Sequence, residues 1–514
     1  MTADDANEIL LLGDDTPCYA RAIYIHRTHK NKPLDIRPGS FLEAIYRDKS
    51  NYIVCIKATQ CGISEFLTVK AFYLAEKGCN VFYVFPTYEL KNNFVRERID
   101  KMIMNTAYYL QLMTNRESRY AENMSLKHVQ NGAIAFVGSN SANSFLSFPA
   151  DAVIIDELDN CDQSNIIMAS ERQSASTDKS TVKVGNPTIR NYGIDLEYRA
   201  TDKKQWHIKH DCGAWIQPDF FRHVVRQVSA SDYVAIDTEW DGISDNIRCI
   251  CDKCGKSFDR YGRGEWQAQA QSDRSGYQIS KMFSTTVTIK DIMDRFSEGL
   301  LNESAMQRFY NGDLGLPYTA RGAKVTREML DGCIESYIMP EFSRGVCVMG
   351  ADVGKLIHIT IAELLPDGRK RLMYIGSVRD EDDVAELYAV YNCRIGVIDS
   401  RPETRLSKRL SSRFAGLFMC DYIHGIKDTI DAGGKIIKVD RTQALDAVKE
   451  AIVKRALILP QNAASLPEFY EHMEASTRVL NERTGNYEWV EAGADHLNHA
   501  LAYMLKAEKL LSML

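Results

Sequence analysis

The stretch from Asn51 to Thr87, NYIVCIKATQCGISEFLTVKAFYLAEKGCNVFYVFPT, restricts the fold more than any other part of the chain. It runs from an apolar segment through a short polar loop and an amphipathic segment to a second apolar run, which predicts strand, helix and parallel strand. Residues 57–64, KATQCGIS, fall in the frame of the phosphate-binding loop G-x-x-x-x-G-K-[ST], with Gly62 and Ser64 in register. Two positions depart: Ile63 stands where the lysine belongs, and Lys57 stands where the first glycine belongs. Such a loop needs backbone N–H groups at a helix start, a hydroxyl for Mg2+ and one ammonium near the β- and γ-phosphates. Lys57 offers that ammonium from the other end of the loop. Taken alone, the pattern also fits an ordinary strand-to-helix turn with a surface lysine.

Two later blocks supply partners for the loop. Ala152 to Ile155 is a short apolar run of buried-strand type that ends in Asp156 and Glu157. In that place Asp156 is expected to hold Mg2+ through water, and Glu157 to orient or deprotonate the attacking water. A third strand, TVKVGNPT, puts Asn186 and Thr188 at its carboxyl end, where ligands of open α/β sheets bind and where polar groups can sense a γ-phosphate.

The chain is too long for this unit alone, because 514 residues exceed the roughly 250–300 that one core supports. With 45% hydrophobic and 26% charged residues and no low-complexity tract, disorder is not the default. No apolar run approaches the ~18 residues of a membrane span, and Met1 to Asp15 lack a leader pattern, so a cytoplasmic protein is expected. A net charge of −6 argues against a protein that coats nucleic acid and confines any nucleic-acid path to a local basic patch.

Most of the 13 cysteines are scattered singly, as in a reducing compartment. The exception is IRCICDKCGKSF, where Cys251, Cys254 and the following glycine form a metal knuckle; upstream, WHIKHDCGAWIQ is a degenerate second knuckle. Cys212 is one expected ligand, and His210, His207 and Cys249 are the candidates for the other. Four such ligands make a closed structural Zn2+ site with no position for catalytic water.

From Gly345 the pattern becomes strand, strand, a turn at Pro366-Asp367-Gly368, strand, helix and strand, the opening of an RNase H-like fold. Asp352 ends the first of these strands and Asp399 the fourth, while Asp495 falls in the first turn of a C-terminal helix. Three acids from distant segments are what a two-Mg2+ phosphodiesterase needs. RPETRLSKRLSSR, directly after Asp399, places Arg401, Arg405, Lys408, Arg409 and Arg413 where DNA phosphates could lie, or on a solvated helix face. His496 and His499 flank the last acid.

The lysine-first loop, VFYVFPT, GSNSANSFLSFPADAVIIDE and VGNPT, in this order, resemble the ATPase of tailed-phage terminase large subunits, in particular the lambda-like branch, whose phosphate loop also begins with lysine. GYQISKMFSTTVTIKDIMDRFSEGL and RFYNGDLGLPYTARG resemble the same branch, and Asp352, Asp399 and Asp495 match its nuclease acids. The resemblance runs from about Asn51 to the C-terminus. It implies a P-loop NTPase (RecA/ASCE-like) domain over residues 1–200, a zinc-ribbon insertion over 201–265, a linker or lid over 266–339 and an RNase H-like mixed α/β nuclease over 340–514. It implies ATP, Mg2+ or Mn2+ and structural Zn2+ as cofactors. The implied work is translocation of double-stranded phage DNA into a procapsid and cutting of concatemers. The implied partners are a small terminase subunit, the portal and further copies in a ring in the host cytoplasm. Gln60 departs from an arginine that many members carry in the loop, which leaves Arg96, Arg98 or a neighbouring subunit as its replacement. Two other readings stand beside this one: a helicase-like ATPase-nuclease of DNA repair, which should carry a second RecA-like domain, and a DNA-binding scaffold on a decayed ATPase.

Overall fold

The computed structural model describes residues 17–114, 124–145, 148–229, 232–285, 287–320, 322–431, 433–481 and 484–513. Met1 to Asp15, and Leu146 and Ser147 of the resembling block, lie outside them. The chain divides into two compact units, Met1–Tyr318 and Thr319–Leu514.

The first unit is built on seven strands: β1 (Tyr52–Lys57), β2 (Asn80–Phe85), β3 (Leu126–Val129), β4 (Gly132–Gly138), β5 (Ala152–Ile155), β6 (Ser180–Gly185) and β7 (Ser275–Ile279). Their order in the sheet is β7-β1-β6-β5-β2-β4-β3. All neighbours are parallel except β3 and β4. β1, β2, β5 and β6 are buried almost throughout, as strands covered on both faces must be, which is why they read as unbroken apolar runs. Because β6 lies between β1 and β5, the carboxyl ends of these three strands stand side by side. Helix α1 (Ile63–Glu76) follows β1 directly.

The beginning of the segment 266–339, expected as a linker or lid, instead closes the first unit's sheet. β7 pairs in parallel with β1 from Ser275 opposite Ile53 to Ile279 opposite Lys57. Its buried Tyr277 and Ile279 cover an edge that would otherwise expose the core. The 201–265 insertion folds as short antiparallel pairs, Gln205–Lys209 with Gly264–Gln267 and Cys249–Ile250 with Ser257–Phe258. Its apolar side chains Trp206, Phe220, Ile247 and Cys249 belong to the same core as β1 and α1, so the insertion has little core of its own.

The second unit holds nine strands: β8 (Ile334–Glu335), β9 (Cys347–Val353), β10 (Ile357–Leu364), β11 (Lys370–Val378), β12 (Cys393–Asp399), β13 (Leu417–Tyr422), β14 (Thr429–Asp431), β15 (Ile436–Val439) and β16 (Leu457–Pro460). They form one mixed sheet in the order β8-β16-β11-β10-β9-β12-β13-β15-β14. β9, β10 and β11 make an antiparallel meander, and β12 and β13 continue it in parallel beyond β9. The helices that matter for the site are α2 (Glu381–Val390), α3 (Thr404–Arg413), α4 (Pro467–Glu474) and α5 (His496–Leu511). α5 rests its backbone on β9 at Gly350, where a Cβ would lie 2.0 Å from the Ala500 carbonyl oxygen and 2.2 Å from the Met504 nitrogen.

Candidate active sites

At the carboxyl ends of β1, β6 and β5 the sequence-derived residues of the nucleotide half converge. The Lys57 ammonium is buried and donates to Glu157 Oε1 at 2.8 Å and to Asn186 Oδ1 at 3.0 Å. Burial works against its charge, but Glu157 and Asp156 more than offset this and hold the ammonium above the ordinary lysine value. The Ser64 hydroxyl, in the first turn of α1, lies 3.4 Å from Asp156 Oδ2, while Asp156 Oδ1 is buried with no hydrogen-bond partner. Burial, with Glu157 next to it, pushes the Asp156 carboxyl up to about 6. A hydroxyl beside a carboxylate with one oxygen unsatisfied is a donor set that fits a hard divalent cation. Gln60, Gly62 and Glu157 all take positive φ, 59°, 81° and 55°. For the two non-glycine residues this is a conformation that the surrounding structure must enforce.

Thr188 is placed differently from the expectation. Its N–H and hydroxyl both donate to Asp159 Oδ2 at 2.8 Å, and Asp159 Oδ1 accepts from Ile194 N at 2.6 Å, so this threonine anchors its loop. Arg96 pairs with Glu97 on the surface at 3.2 Å, and the Arg98 guanidinium lies 5.6 Å from the centre of the Phe94 ring. Sequence reasoning missed the segment that holds the loop from behind. Gly312 O accepts from both Thr59 N and Thr59 Oγ1 at 2.9 Å, and Asn311 Nδ2 donates to Thr188 O at 3.1 Å and Leu316 O at 2.8 Å. Gly315, at φ 64°, approaches so closely that a Cβ would meet Ile279 O at 2.4 Å and Ala58 N at 2.7 Å. The string NGDLGLP carried the signal, since two glycines so close together mark a backbone that must approach another.

In the second unit, Ala351 lies opposite Ile398 in parallel register, so Asp352 and Asp399, one step further, sit side by side. Burial, then Asp352, raise the Asp399 carboxyl to about 6. Asp495 precedes α5 and accepts from Ser476 Oγ at 2.6 Å, with His499 Nε2 at 3.3 Å and Arg441 at 3.7 Å. Burial opposes its charge, but His499, Ser476 and Arg441 together hold it below the usual carboxylate value. The three acids do not form one tight set. Among the described residues, the groups whose ligand atoms all lie within 4.8 Å of one another join Asp352 with His358 and His496, and Asp495 with Glu491 and His499. His496 Nδ1 bonds Asp352 Oδ2 at 2.9 Å, which holds the imidazole above its ordinary pKa. His358, Glu468 and His472, none of them singled out by the sequence, form a further group beside it.

The ribbon brings together His210, Cys212, Cys251 and Cys254 with ligand atoms all within 4.8 Å. His210 Nε2 faces Ser257 O at 3.2 Å, which leaves Nδ1 toward the cysteines, 3.0 Å from Cys212 Sγ. His207 Nδ1 instead faces Gln205 O at 3.0 Å, and Cys249 is buried in the core, so neither belongs to the group. On α3, Arg409 and Arg413 are paired with Glu381 and Asp382 of α2 at 2.8 Å each, and Arg401 lies 3.9 Å from Asp421. Arg405 and Lys408 are exposed, and among the described residues no ion pair engages them.

A family model described as phage terminase large subunit gpA, ATPase domain, matches residues 39–271, and one described as terminase large subunit gpA, endonuclease domain, matches residues 274–356. The second covers Asp352; Asp399 and Asp495 lie beyond it. Among solved structures, the large terminase of bacteriophage HK97 is similar in fold, with a TM-score of 0.54 at 12% identity over 95% of this chain and 98% of that one. A large terminase from a thermophilic bacteriophage is 12% identical over 90% of this chain and 94% of that one, with a TM-score of 0.30. The large terminase ATPase domain of Thermus phage P74-26 is 14% identical over 55% of this chain and 94% of that one, with a TM-score of 0.33. No curated protein matches the chain. ATP hydrolysis and DNA cleavage, with nucleotide and divalent metal, are the activities of the two matched domains. With both domain models in consecutive order over a fold of this kind, the chain belongs to the gpA family of phage terminase large subunits.

Proposed function

We propose that Lys57 is the phosphate-binding cation of a working packaging motor, that Glu157 is its water-activating base, and that Asp352, Asp399 and Asp495 serve a two-metal endonuclease. The buried ammonium of Lys57, held at 2.8 Å by Glu157 and 3.0 Å by Asn186, carries the motor reading. A γ-phosphate entering there competes with Glu157 for that ammonium. Glu157 is thereby released toward a water, and Asn186 registers the exchange on the next strand. Ser64 and Asp156 would hold Mg2+, which supplies charge neutralisation at the phosphates. At the nuclease centre, divalent cations would lower the pKa of water and stabilise the leaving oxygen. In the same reading, which membership of the family supports, the chain receives double-stranded DNA from a small terminase subunit and docks as a homo-oligomeric ring on the procapsid portal in the host cytoplasm. Arg405 and Lys408 are the side chains of α3 best placed to meet DNA phosphates.

DNA-stimulated ATP hydrolysis separates this from a decayed scaffold. Wild type should turn over, and Lys57→Ala should lose about 100-fold or more, the scale on which removing a preorganised charge acts. Asp352→Asn should abolish cleavage in Mg2+ or Mn2+ while ATP hydrolysis continues. Absence of turnover in wild type and variant alike would leave the scaffold reading in place.

His210, Cys212, Cys251 and Cys254 are proposed to bind structural Zn2+, supported by their convergence and by the thin core of the insertion. Metal analysis should find about one Zn2+ per chain. Cys251→Ser should lose that ion together with the near-ultraviolet signal of Trp206 and Trp266. Full folding without metal would defeat the assignment.

A further inference from the structure

We infer that His358 is a nitrogen ligand to a divalent cation shared with Asp352, so that one nuclease position is a mixed carboxylate-imidazole site that favours Mn2+ over Mg2+. The inference rests on the reading of Asp352 as a nuclease acid and adds to it a ligand of a different chemical class.

His358 on β10 lies directly opposite Asp352 on β9, so the two side chains share one face of the sheet. A ring nitrogen of His358 and a carboxylate oxygen of Asp352 fall within 4.8 Å. The His358 Nε2 is 3.1 Å from Glu468 Oε1. A carboxylate only accepts, so the hydrogen sits on Nε2 and the lone pair on Nδ1. That Nδ1 is buried without a hydrogen-bond partner, in a residue that is 5% exposed. A buried acceptor left bare costs stability unless something binds it. A carboxylate that orients an imidazole through one nitrogen while the other faces a cation is the arrangement that fixes metal-bound histidines.

The neighbouring histidines are committed elsewhere. His472 Nδ1 accepts from Leu497 N at 3.3 Å, so its lone pair serves the start of α5. The His496 ring lies over that of His358, with centres 4.7 Å apart and planes 13° from parallel. Two imidazoles on one ion must both contain it in their ring planes, which displaced, near-parallel rings cannot do. His496, bonded to Asp352, is therefore a positioning residue, and His358 is the nitrogen donor. Imidazole suits transition-metal cations, whereas Mg2+ takes oxygen, which gives the site its preference.

Mn2+ alone, added to the full chain without nucleotide, reads this directly through pulsed electron paramagnetic resonance, which detects coupling to an imidazole nitrogen. Wild type should show that coupling. His358→Gln and Asp352→Asn should each lose it, and His472→Gln should keep it. Glu468→Gln, at an exposed carboxyl that leaves the ring in place, should weaken Mn2+ binding about ten- to a hundred-fold. Mg2+ affinity should fall less. Coupling that survives in folded His358→Gln overturns the inference. So does Mn2+ bound by wild type through Asp352 with no nitrogen coupling, a result that leaves the carboxylate nuclease standing. If His358→Gln fails to fold, unchanged coupling and affinity in Glu468→Gln overturn it instead. Mn2+ binding indifferent to Asp352→Asn would remove the nuclease reading itself.

Discussion

Asp399 ends β12 with one backbone donor, Arg401 N at 3.2 Å, and burial together with Asp352 raises its carboxyl to about 6. A folded-state value above the unfolded one, about 3.9, means that this group contributes stability in full below pH ~4, and that the contribution is lost as pH rises through ~6. A cation that takes the place of the proton reverses the loss. Mn2+ should therefore raise the melting temperature of the second unit at pH 7–8, less at pH 6 and hardly at pH 5. An equal rise at pH 5 and pH 8 would take Asp399 out of the cation set. Residues such as Asp156, Glu157, Asp352 and Asp399 were legible in the sequence because each ends an apolar run. His358 and Glu468 were not, because their meaning depends on a cross-strand register and on a helix more than a hundred positions away. Nor was the partner of Thr188, since the sequence does not show Asp159 taking both its N–H and its hydroxyl.

At the scale of elements, two glycines set how the sites are assembled. Gly350 lets the backbone of α5 lie on β9, which brings the start of that helix, with Asp495 and His496, to the end of the strand that carries Asp352. Gly350→Ala should cost about 1–3 kcal/mol, the usual penalty of overpacking, and should abolish Mn2+ stabilisation along with cleavage. Gly315 does the same behind the phosphate loop, where a Cβ would press on Ala58 and Ile279. Gly315→Ala should impair nucleotide binding without touching a phosphate ligand. Chemical unfolding and nucleotide titration measure these effects, and a Gly350→Ala protein with wild-type stability would contradict so close a packing of helix on strand. The strand-strand-turn-strand-helix-strand run of the second unit was readable because its turn at Pro366-Asp367-Gly368 is explicit, with Gly368 at φ 83°. β7 was not, since five residues of mixed polarity become a strand only when the open edge of β1 is there to pair with.

Over the whole molecule, a net charge of −6 means that binding to a polyanion depends on where a few cations stand. The basic run after Asp399 suggested five such cations, but the fold pairs three of them: Arg409 and Arg413 lie against Glu381 and Asp382, and Arg401 lies 3.9 Å from Asp421. An arginine already paired releases few counterions when a phosphate approaches, because it must first give up its carboxylate. Arg405 and Lys408 have no such pairing to break, so they should account for most of the phosphate contacts made by α3. Each phosphate-binding cation removed lowers the slope of log K against log salt by about 0.9 for duplex DNA. Replacing both by alanine should therefore reduce the slope by about 1.8, whereas Arg413→Ala should leave it nearly unchanged. Binding of a non-cleaving Asp352→Asn background to duplex DNA across a salt series gives these slopes. Equal reductions for Arg405 and Arg413 would mean that α2 releases its partners when DNA arrives, and the path would then have to include the acidic end of that helix.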